Sequence, residues 1–391
     1  MRDVIVVGAG PGGSAIAKHL ASKGYGVIVY EKRQEIGAPK RCGEGISLGG
    51  LERLGLKIPS YCIRQKINGV IVYAPNGKFV EIDYGKDSGY IVERKVFDKW
   101  LAEEAVRKGA KVQSKTNIKE ILKENGKVCG IMGEYFGKKF EEKCKVLVAA
   151  DGIESKISRM AGLNTTANPF LVDSGFQFEM VGIELQDPKK IYIYFGYKIA
   201  PRGYIWIFPK GRDVANVGIG IVGKSKKSAK EYLVEFIKNK PELRKGSILE
   251  VNAGAIPVGG LLKKMTLDNF LAIGDAAHQV NPIHGGGMYE AQFAAKIAAE
   301  VIDEALQKND TSEKQLDKYN KEWWEQRGNY LRNVEKLREV VEKFSDDDFN
   351  FLAEELKGNL LIDITRGKGL KVFAKILLKR PHLVKFAKIL F

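Results

Sequence analysis

Cysteine and histidine are scarce in this chain, four of each in 391 residues. Cys42, Cys62, Cys129 and Cys144 show no CxxC spacing, which argues against a structural zinc or iron–sulfur site. The histidines are scattered without ligand spacing, so no metal is expected. Long apolar runs are missing too: none reaches the roughly 18–20 residues of a membrane span. The first residues run directly into a strand pattern, so no signal peptide is expected. A reducing cytoplasm is the expected compartment, while a Cys42–Cys62 bridge stays open. Acid is in deficit, 48 Asp and Glu against 64 Lys and Arg, a net charge of +16. That excess calls for an acidic partner or surface. Nucleic acid is not expected, because no helix-turn-helix, zinc-finger or RNP pattern accompanies the charge.

Much of the excess lies at the end, where residues 366–391 hold eight Lys or Arg and no acid. Lys371, Lys375 and Lys379 recur every four residues and share a helical face. Val372, Phe373, Ile376 and Leu377 form another, and Leu383, Phe386, Ile389 and Leu390 continue the apolar pattern beside Lys385 and Lys388. Basic amphipathic helices of this kind can rest on anionic lipid. A terminal helix pair packed on the protein, with its lysines solvated, would show the same pattern.

What the chain has in quantity is glycine, 43 residues, and two glycine motifs point to one ligand. The first follows the apolar run Val4-Ile5-Val6-Val7 and reads Gly8-x-Gly10-x-x-Gly13, with Gly12 inside it. Gly8 permits a tight turn, Gly10 lets a pyrophosphate approach the backbone, and Gly13 lets the following helix, 13–23, pack closely on the strand. The free N–H groups and positive dipole end of that helix face the phosphates. Glu31, after the strand 27–30, is placed to accept hydrogen bonds from ribose hydroxyls. The second motif runs Phe270-Leu271-Ala272-Ile273-Gly274-Asp275, then Gly285-Gly286-Gly287-Met288 opening a helix to about residue 306. Asp275 can bind a polyol hydroxyl, and the N–H groups of Gly287 and Met288 can meet a flavin's pyrimidine side, where negative charge grows on reduction. A nicotinamide-only domain needs the first motif alone. Two pieces more than 250 residues apart predict a long dinucleotide lying across the fold, FAD.

The predicted fold is α/β plus β. A Rossmann-like FAD-binding domain (1–60, 90–165 and 265–308) is interleaved with an antiparallel-sheet substrate domain (61–89 and 166–264), and 309–391 is helical. Runs 70–73 and 79–82 around Asn76-Gly77 read as a hairpin. Tyr204, Trp206 and Phe208 alternate, so they project from one strand face. Gly218 and Gly220 share a face of the next strand, leaving room for a chain or ring to approach. An aromatic wall suits a long apolar ligand with few hydrogen-bonding groups; an ordinary aromatic core stripe would alternate in the same way.

Together these residues resemble the class A flavoprotein family that includes the aromatic hydroxylases, and within it the geranylgeranyl reductases, above all those of archaeal lipids. The resemblance spans nearly the whole chain. It is carried by Gly8-x-Gly10-x-x-Gly13, Arg41-Cys42-Gly43-Glu44-Gly45, Glu93-Arg94 with Phe97-Asp98, Ala150-Asp151-Gly152, Pro201-x-x-Tyr204-x-Trp206-x-Phe208-Pro209 and Gly274-Asp275. The second and fifth discriminate; hydroxylases, halogenases and cyclases share the others. The resemblance implies FAD with Glu31 on the adenosine ribose, Cys42, Gly43 and Gly45 lining the flavin, Arg94 on phosphate or sugar, and a main-chain group near Ile118 on adenine. Asp275, Gly287 and Met288 complete that site, and Tyr204, Trp206, Phe208, Gly218 and Gly220 form the substrate wall.

It further implies saturation of isoprenoid double bonds in the geranylgeranyl chains of archaeal membrane phospholipid precursors. Reduced FAD gives a hydride equivalent to one alkene carbon and a proton reaches the other. Cys42 is the leading candidate to deliver or control that proton, although a buried inert thiol would look the same. His284, in the flavin loop, is second, its neighbours favouring a structural hydrogen bond. The partners implied are a prenylated glycerophospholipid and an electron donor, open among ferredoxin, NADPH and a deazaflavin, with peripheral membrane contact through the basic tail. Two alternatives stand beside this reading: an NAD(P)H-dependent FAD monooxygenase, and an FAD-containing lipid-surface binding protein without turnover.

Overall fold

A computed structural model describes residues 1–223, 225–356, 359–365 and 369–384. Its first large sheet has eight strands. Arg2–Val7 lies centrally, parallel to Lys138–Ala149 on one side and to Val27–Tyr30 on the other. Val4, Ile5 and Val6 are fully buried, as an unbroken β-branched run is when helices cover both faces of a parallel strand. Phe270–Ala272 joins parallel to Lys138–Ala149, and this register brings the second glycine motif back beside the first. Helix Pro11–Ser22 packs against helices Arg94–Arg107 and Met288–Gln307. It begins two residues before the expected start because Pro11, with φ fixed and no N–H to lose, occupies its first turn.

The second large sheet has seven strands, in the order Ser247–Pro257, Val172–Val181, Val214–Val222, Tyr204–Pro209, Lys190–Tyr194, Gly69–Tyr73, Phe79–Asp83. Its pairs are antiparallel except where Lys190–Tyr194 runs parallel to Gly69–Tyr73. That seam joins the 69–83 hairpin, inserted from a distant part of the chain, so no tight turn dictates its direction. Ile63–Ile67 does not join this sheet. It pairs with Gly89–Val92, which also pairs with Gly45–Ser47, in a separate three-stranded sheet.

Beyond the second motif the chain is helical. Leu337, Val340, Phe344, Leu352, Phe373, Leu377 and Leu383 form a core of their own. On helix Leu370–Leu377, Phe373, Ile376 and Leu377 point inward, while Val372 and the lysines at 371, 375 and 379 are exposed. Of the apolar face offered to lipid in the sequence reading, Phe373, Ile376, Leu377 and Leu383 are therefore covered by protein. Lys385, Phe386, Lys388, Ile389 and Leu390 lie outside the described residues. Among the described residues, no helix is long and apolar enough to cross a membrane.

Candidate functional site

A cavity of about 1720 Å³ is lined by residues of both large sheets and of the C-terminal helices. Drug-sized ligands occupy roughly 300–1,000 Å³, so this space admits a dinucleotide and a second molecule. Gly8, Gly10, Gly12, Glu31 and Ile118 line one limb, and Cys42, Gly43, Gly45, Arg94, Asp275, Gly287 and Met288 line its middle. Tyr204, Trp206 and Phe208 border the other limb, with Val70, Val72, Ile193, Phe344, Leu352 and Phe373 supplying apolar walls.

The nucleotide limb fits FAD. Gly8 takes a positive φ of 106°, and a β-carbon there would stand 2.3 Å from the Ala150 carbonyl oxygen. Gly13 is equally constrained, since its β-carbon would meet the Gly8 carbonyl at 1.9 Å; its role is packing rather than contact. In front of Gly10 there is open space. Helix Pro11–Ser22 has no side-chain cap and no acid in its first turn, so its free N–H groups and positive end face the cavity. Asp151 also lines the cavity and has one buried oxygen, Oδ1, without a partner; burial raises its pKa. Such an orphan acceptor matches a ligand hydroxyl. The Glu31 carboxylate accepts N–H groups from Ala9 (3.0 Å) and Arg33 (2.9 Å), which aims it along the loop.

At the second motif, Asp275 lies against Gly287, where a β-carbon would stand 2.9 Å from Oδ1. Burial raises the Asp275 pKa, and Arg94 and His278 oppose that rise. Arg94 is itself desolvated, yet Asp98 outweighs burial and raises its pKa through a two-pronged ion pair at 2.8 and 2.6 Å. Cys42 receives the Glu44 N–H on its sulfur at 3.2 Å. All four cysteines are free. Cys62 sits in the core behind this loop, its thiol pushed up to about 11 by burial, and no bridge joins it to Cys42.

His284 lines the cavity and is exposed on its wall. Desolvation by the cavity walls and the nearby Arg327 charge lower its pKa to about 4. Its Nδ1 accepts the Gly286 N–H at 3.1 Å, and its carbonyl accepts the Tyr204 hydroxyl at 2.8 Å. These bonds tie the 284–286 turn together and fasten it to Tyr204.

Tyr204, Trp206 and Phe208 line the cavity together, but the space over Gly218 and Gly220 is already filled. A β-carbon on Gly218 would stand 2.3 Å from the Trp206 ring. The ring that Gly218 admits is the protein's own, and neither Gly218 nor Gly220 lines the cavity. Trp206 Nε1 donates to Gln177 Oε1 at 2.9 Å, and Gln177 Nε2 donates to the Cys42 carbonyl at 3.2 Å. Phe208 packs on Gly43 and Gly45. The wall is thus fastened directly to the Cys42 loop.

Beneath that loop lies an ion cluster that sequence reasoning missed. The Lys210 ammonium, fully buried, sits 2.8 Å from Glu44, 2.7 Å from Glu93 and 2.8 Å from Glu179. Lys40, also buried, pairs with Glu179, Glu44 (3.3 Å) and Glu250 (3.4 Å). Glu44, Glu93 and Glu179 stand close enough together to hold a metal ion, but the ammonium groups already supply the positive charge. Burial would raise Glu179, yet Lys210 and Lys40 outweigh it and bring its pKa down to about 2. Glu44 has a positive φ of 75°, and its Oε1 accepts the Arg94 N–H at 2.7 Å. The cluster therefore fixes the residue between Gly43 and Gly45, and with it the start of the Arg94 helix.

The chain is 43% identical to a digeranylgeranylglycerophospholipid reductase of Methanocaldococcus jannaschii, over 99% of this chain and 97% of that one. The chain belongs to the geranylgeranyl reductase family. A second reductase of the same name, from Methanocella arvoryzae, is 41% identical over 98% of this chain and 97% of its own. The model of a geranylgeranyl reductase catalytic domain matches residues 172–256, that of an NAD(P)-binding Rossmann-like domain residues 6–40, and that of a lycopene cyclase protein residues 224–358. In this family member, the reductase match covers the aromatic wall and the strands beside it. The crystal structure of a geranylgeranyl bacteriochlorophyll reductase-like protein from Thermoplasma acidophilum superimposes with a TM-score of 0.92, at 35% identity, over 100% of this chain and 99% of that one. A flavin-dependent brominase shares the fold, with a TM-score of 0.72 at 20% identity over 94% of this chain and 93% of its own.

Proposed function

We infer that this chain is an FAD-dependent reductase that saturates the geranylgeranyl chains of digeranylgeranylglycerophospholipid. One observation carries the reading: a single cavity joins a dinucleotide cradle to an apolar limb walled by Tyr204, Trp206 and Phe208. The limb offers apolar area and aromatic faces to a substrate tail that has little else to bind. The names of relatives matched along their full length support the same substrate.

When bound, FAD supplies the hydride equivalent. The chain's own residues do the rest. Gly10 and the uncapped helix behind it receive the pyrophosphate, and Glu31, Asp151 and Asp275 accept ligand hydroxyls. Cys42, Gly43 and Gly45 border the flavin, Arg94 contacts its phosphate or sugar groups, and backbone near Ile118 meets the adenine. Gly287 and Met288 present N–H groups at the start of a helix that has no side-chain cap. Trp206, held by Gln177, presents its ring to positive charge developing on a tertiary alkene carbon.

The net charge of +16 and the exposed lysines at 371, 375 and 379 complement anionic lipid, and we place the protein peripherally at such a surface. The reaction needs an electron donor as well as the lipid. Anaerobic titration of the dithionite-reduced holoprotein tests the reading: an unsaturated digeranylgeranyl lipid should reoxidise the flavin, and its fully saturated counterpart should not. Equal responses to both would overturn it.

A further inference from the structure

Saturating an isolated alkene requires a proton as well as a hydride equivalent, and His284 is bound up in the flavin loop as a hydrogen-bond acceptor. The Cys42 sulfur likewise accepts an N–H and faces Arg94. A third group in the cavity wall has the right placement. Asp173, on strand Val172–Val181, is buried and lines the cavity. Its Oδ2 lies 3.2 Å from the point where a β-carbon on Gly220 would stand, and Trp206 Cζ3 lies 3.8 Å from the same point. Gly220 therefore makes room for the carboxyl at the edge of the indole.

The other oxygen, Oδ1, is 3.4 Å from Arg338 Nη2. Arg338 is anchored by the Val258 carbonyl at 2.5 Å and by Glu342 at 2.6 Å. Among the described residues, no hydrogen bond reaches Oδ2.

We propose that Asp173 is the acid that delivers the proton to the prenyl double bond; the proposal rests on the reductase reading above. The Asp173 O–H bond breaks and a C–H bond forms at the less substituted alkene carbon, using the π pair. The tertiary carbon, electron-poor beside Trp206, takes the hydride equivalent. Its two electrons leave the reduced flavin, which is oxidised. The Asp173 carboxylate remains facing Arg338 and is reprotonated from water. Arg338 is a positioning residue in this scheme.

The environment supports the acid form near neutrality. Burial raises the Asp173 pKa to about 7; Arg338 and Arg202 oppose the rise, and Glu342 adds to it. The Tyr204 hydroxyl, whose own pKa is raised by burial and then by Asp173 and Cys42, completes the surroundings.

The test uses reduced holoprotein of wild type, Asp173→Asn and Asp173→Glu with digeranylgeranylglyceryl phospholipid, without oxygen. Single-turnover flavin reoxidation is followed across pH, beside FAD content and lipid affinity. Wild-type rate should fall as pH rises through about 7, because the acid form is lost. Asp173→Asn should keep FAD and lipid binding, slow reoxidation by roughly 10²–10⁴-fold and lose the alkaline limb, and Asp173→Glu should regain part of both. An Asn variant with wild-type rate and limb overturns the proposal, as does one whose loss only tracks lost FAD or lipid. If that variant does not fold, the wild-type profile decides: no alkaline limb near 7 overturns it. Wild type that saturates no prenyl lipid at any pH would sink the reductase reading and this proposal together, before any variant is compared.

Discussion

Replacing Lys210 by Met tests the view that a buried ion cluster holds the Cys42 loop. Met matches the lysine stem in length, so the cavity left behind is small and the loss is mainly electrostatic. Lys210 Nζ pairs with Glu93 at 2.7 Å and with Glu44 and Glu179 at 2.8 Å. After substitution, Glu44 and Glu179 share the Lys40 ammonium with Glu250, and Glu44 keeps the Asn216 amide at 2.7 Å. Breaking a buried pair by removing one partner costs about 3–5 kcal/mol, and proton uptake by the stranded carboxylates offsets part of that near neutral pH. We expect a loss of about 2–4 kcal/mol in denaturant unfolding, smaller at pH 5 than at pH 8. Because Glu44 receives the Arg94 N–H and donates its own to Cys42, FAD affinity should fall with stability. Lys210→Arg should recover much of both. Unfolding is followed by circular dichroism and cofactor release by flavin fluorescence. A Lys210→Met protein with wild-type unfolding and FAD affinity would refute the reasoning.

Other substitutions separate packing from binding. Gly10→Ala places its methyl in open space at a φ of −74°; unfolding of the apoprotein should change by less than about 0.5 kcal/mol while FAD affinity drops, as calorimetry of both forms would show. Gly218→Ala puts a methyl 2.3 Å from the Trp206 ring; overpacking should cost about 1–3 kcal/mol, and rotation of the ring off Gln177 should lower lipid turnover while FAD content stays whole. Glu179 has its pKa depressed to about 2 in the folded protein, against about 4.3 in an unfolded chain. Its stabilisation is therefore present above about pH 4.3 and is lost as pH falls toward 2, a few kcal/mol in all. Acid titrations of wild type and Glu179→Gln should differ in slope over that window.

The nucleotide motifs were legible because they are local: a turn, a helix start and a strand end each demand particular residues within a few positions. The aromatic alternation at 204–208 was legible for the same reason. Its meaning was less so, since only the register of Tyr204–Pro209 on Val214–Val222 shows that Gly218 accommodates Trp206 rather than a substrate. The ion cluster was hidden because its charges, at 40, 44, 93, 179, 210 and 250, come from five separate stretches of the chain. Glu44 stands within the Arg41 to Gly45 stretch, yet an acid in a glycine-rich loop reads as solvated until Lys210 is seen beneath it. Asp173 likewise reads as an ordinary strand residue until Gly220 and Arg338 are folded against it. At the C-terminus, helical spacing gave the faces of 370–377 but not which one the protein itself would cover.

The most direct test of the whole account is product mass. Reduced holoprotein and digeranylgeranylglyceryl phospholipid are incubated in paired samples with and without oxygen, and the lipid is analysed by mass spectrometry. Stepwise gain of two hydrogens per double bond, matched to flavin reoxidised, is expected without oxygen. Lipid that gains an oxygen atom only in the aerated sample, or stays unchanged beside a stably reduced flavin, would contradict it.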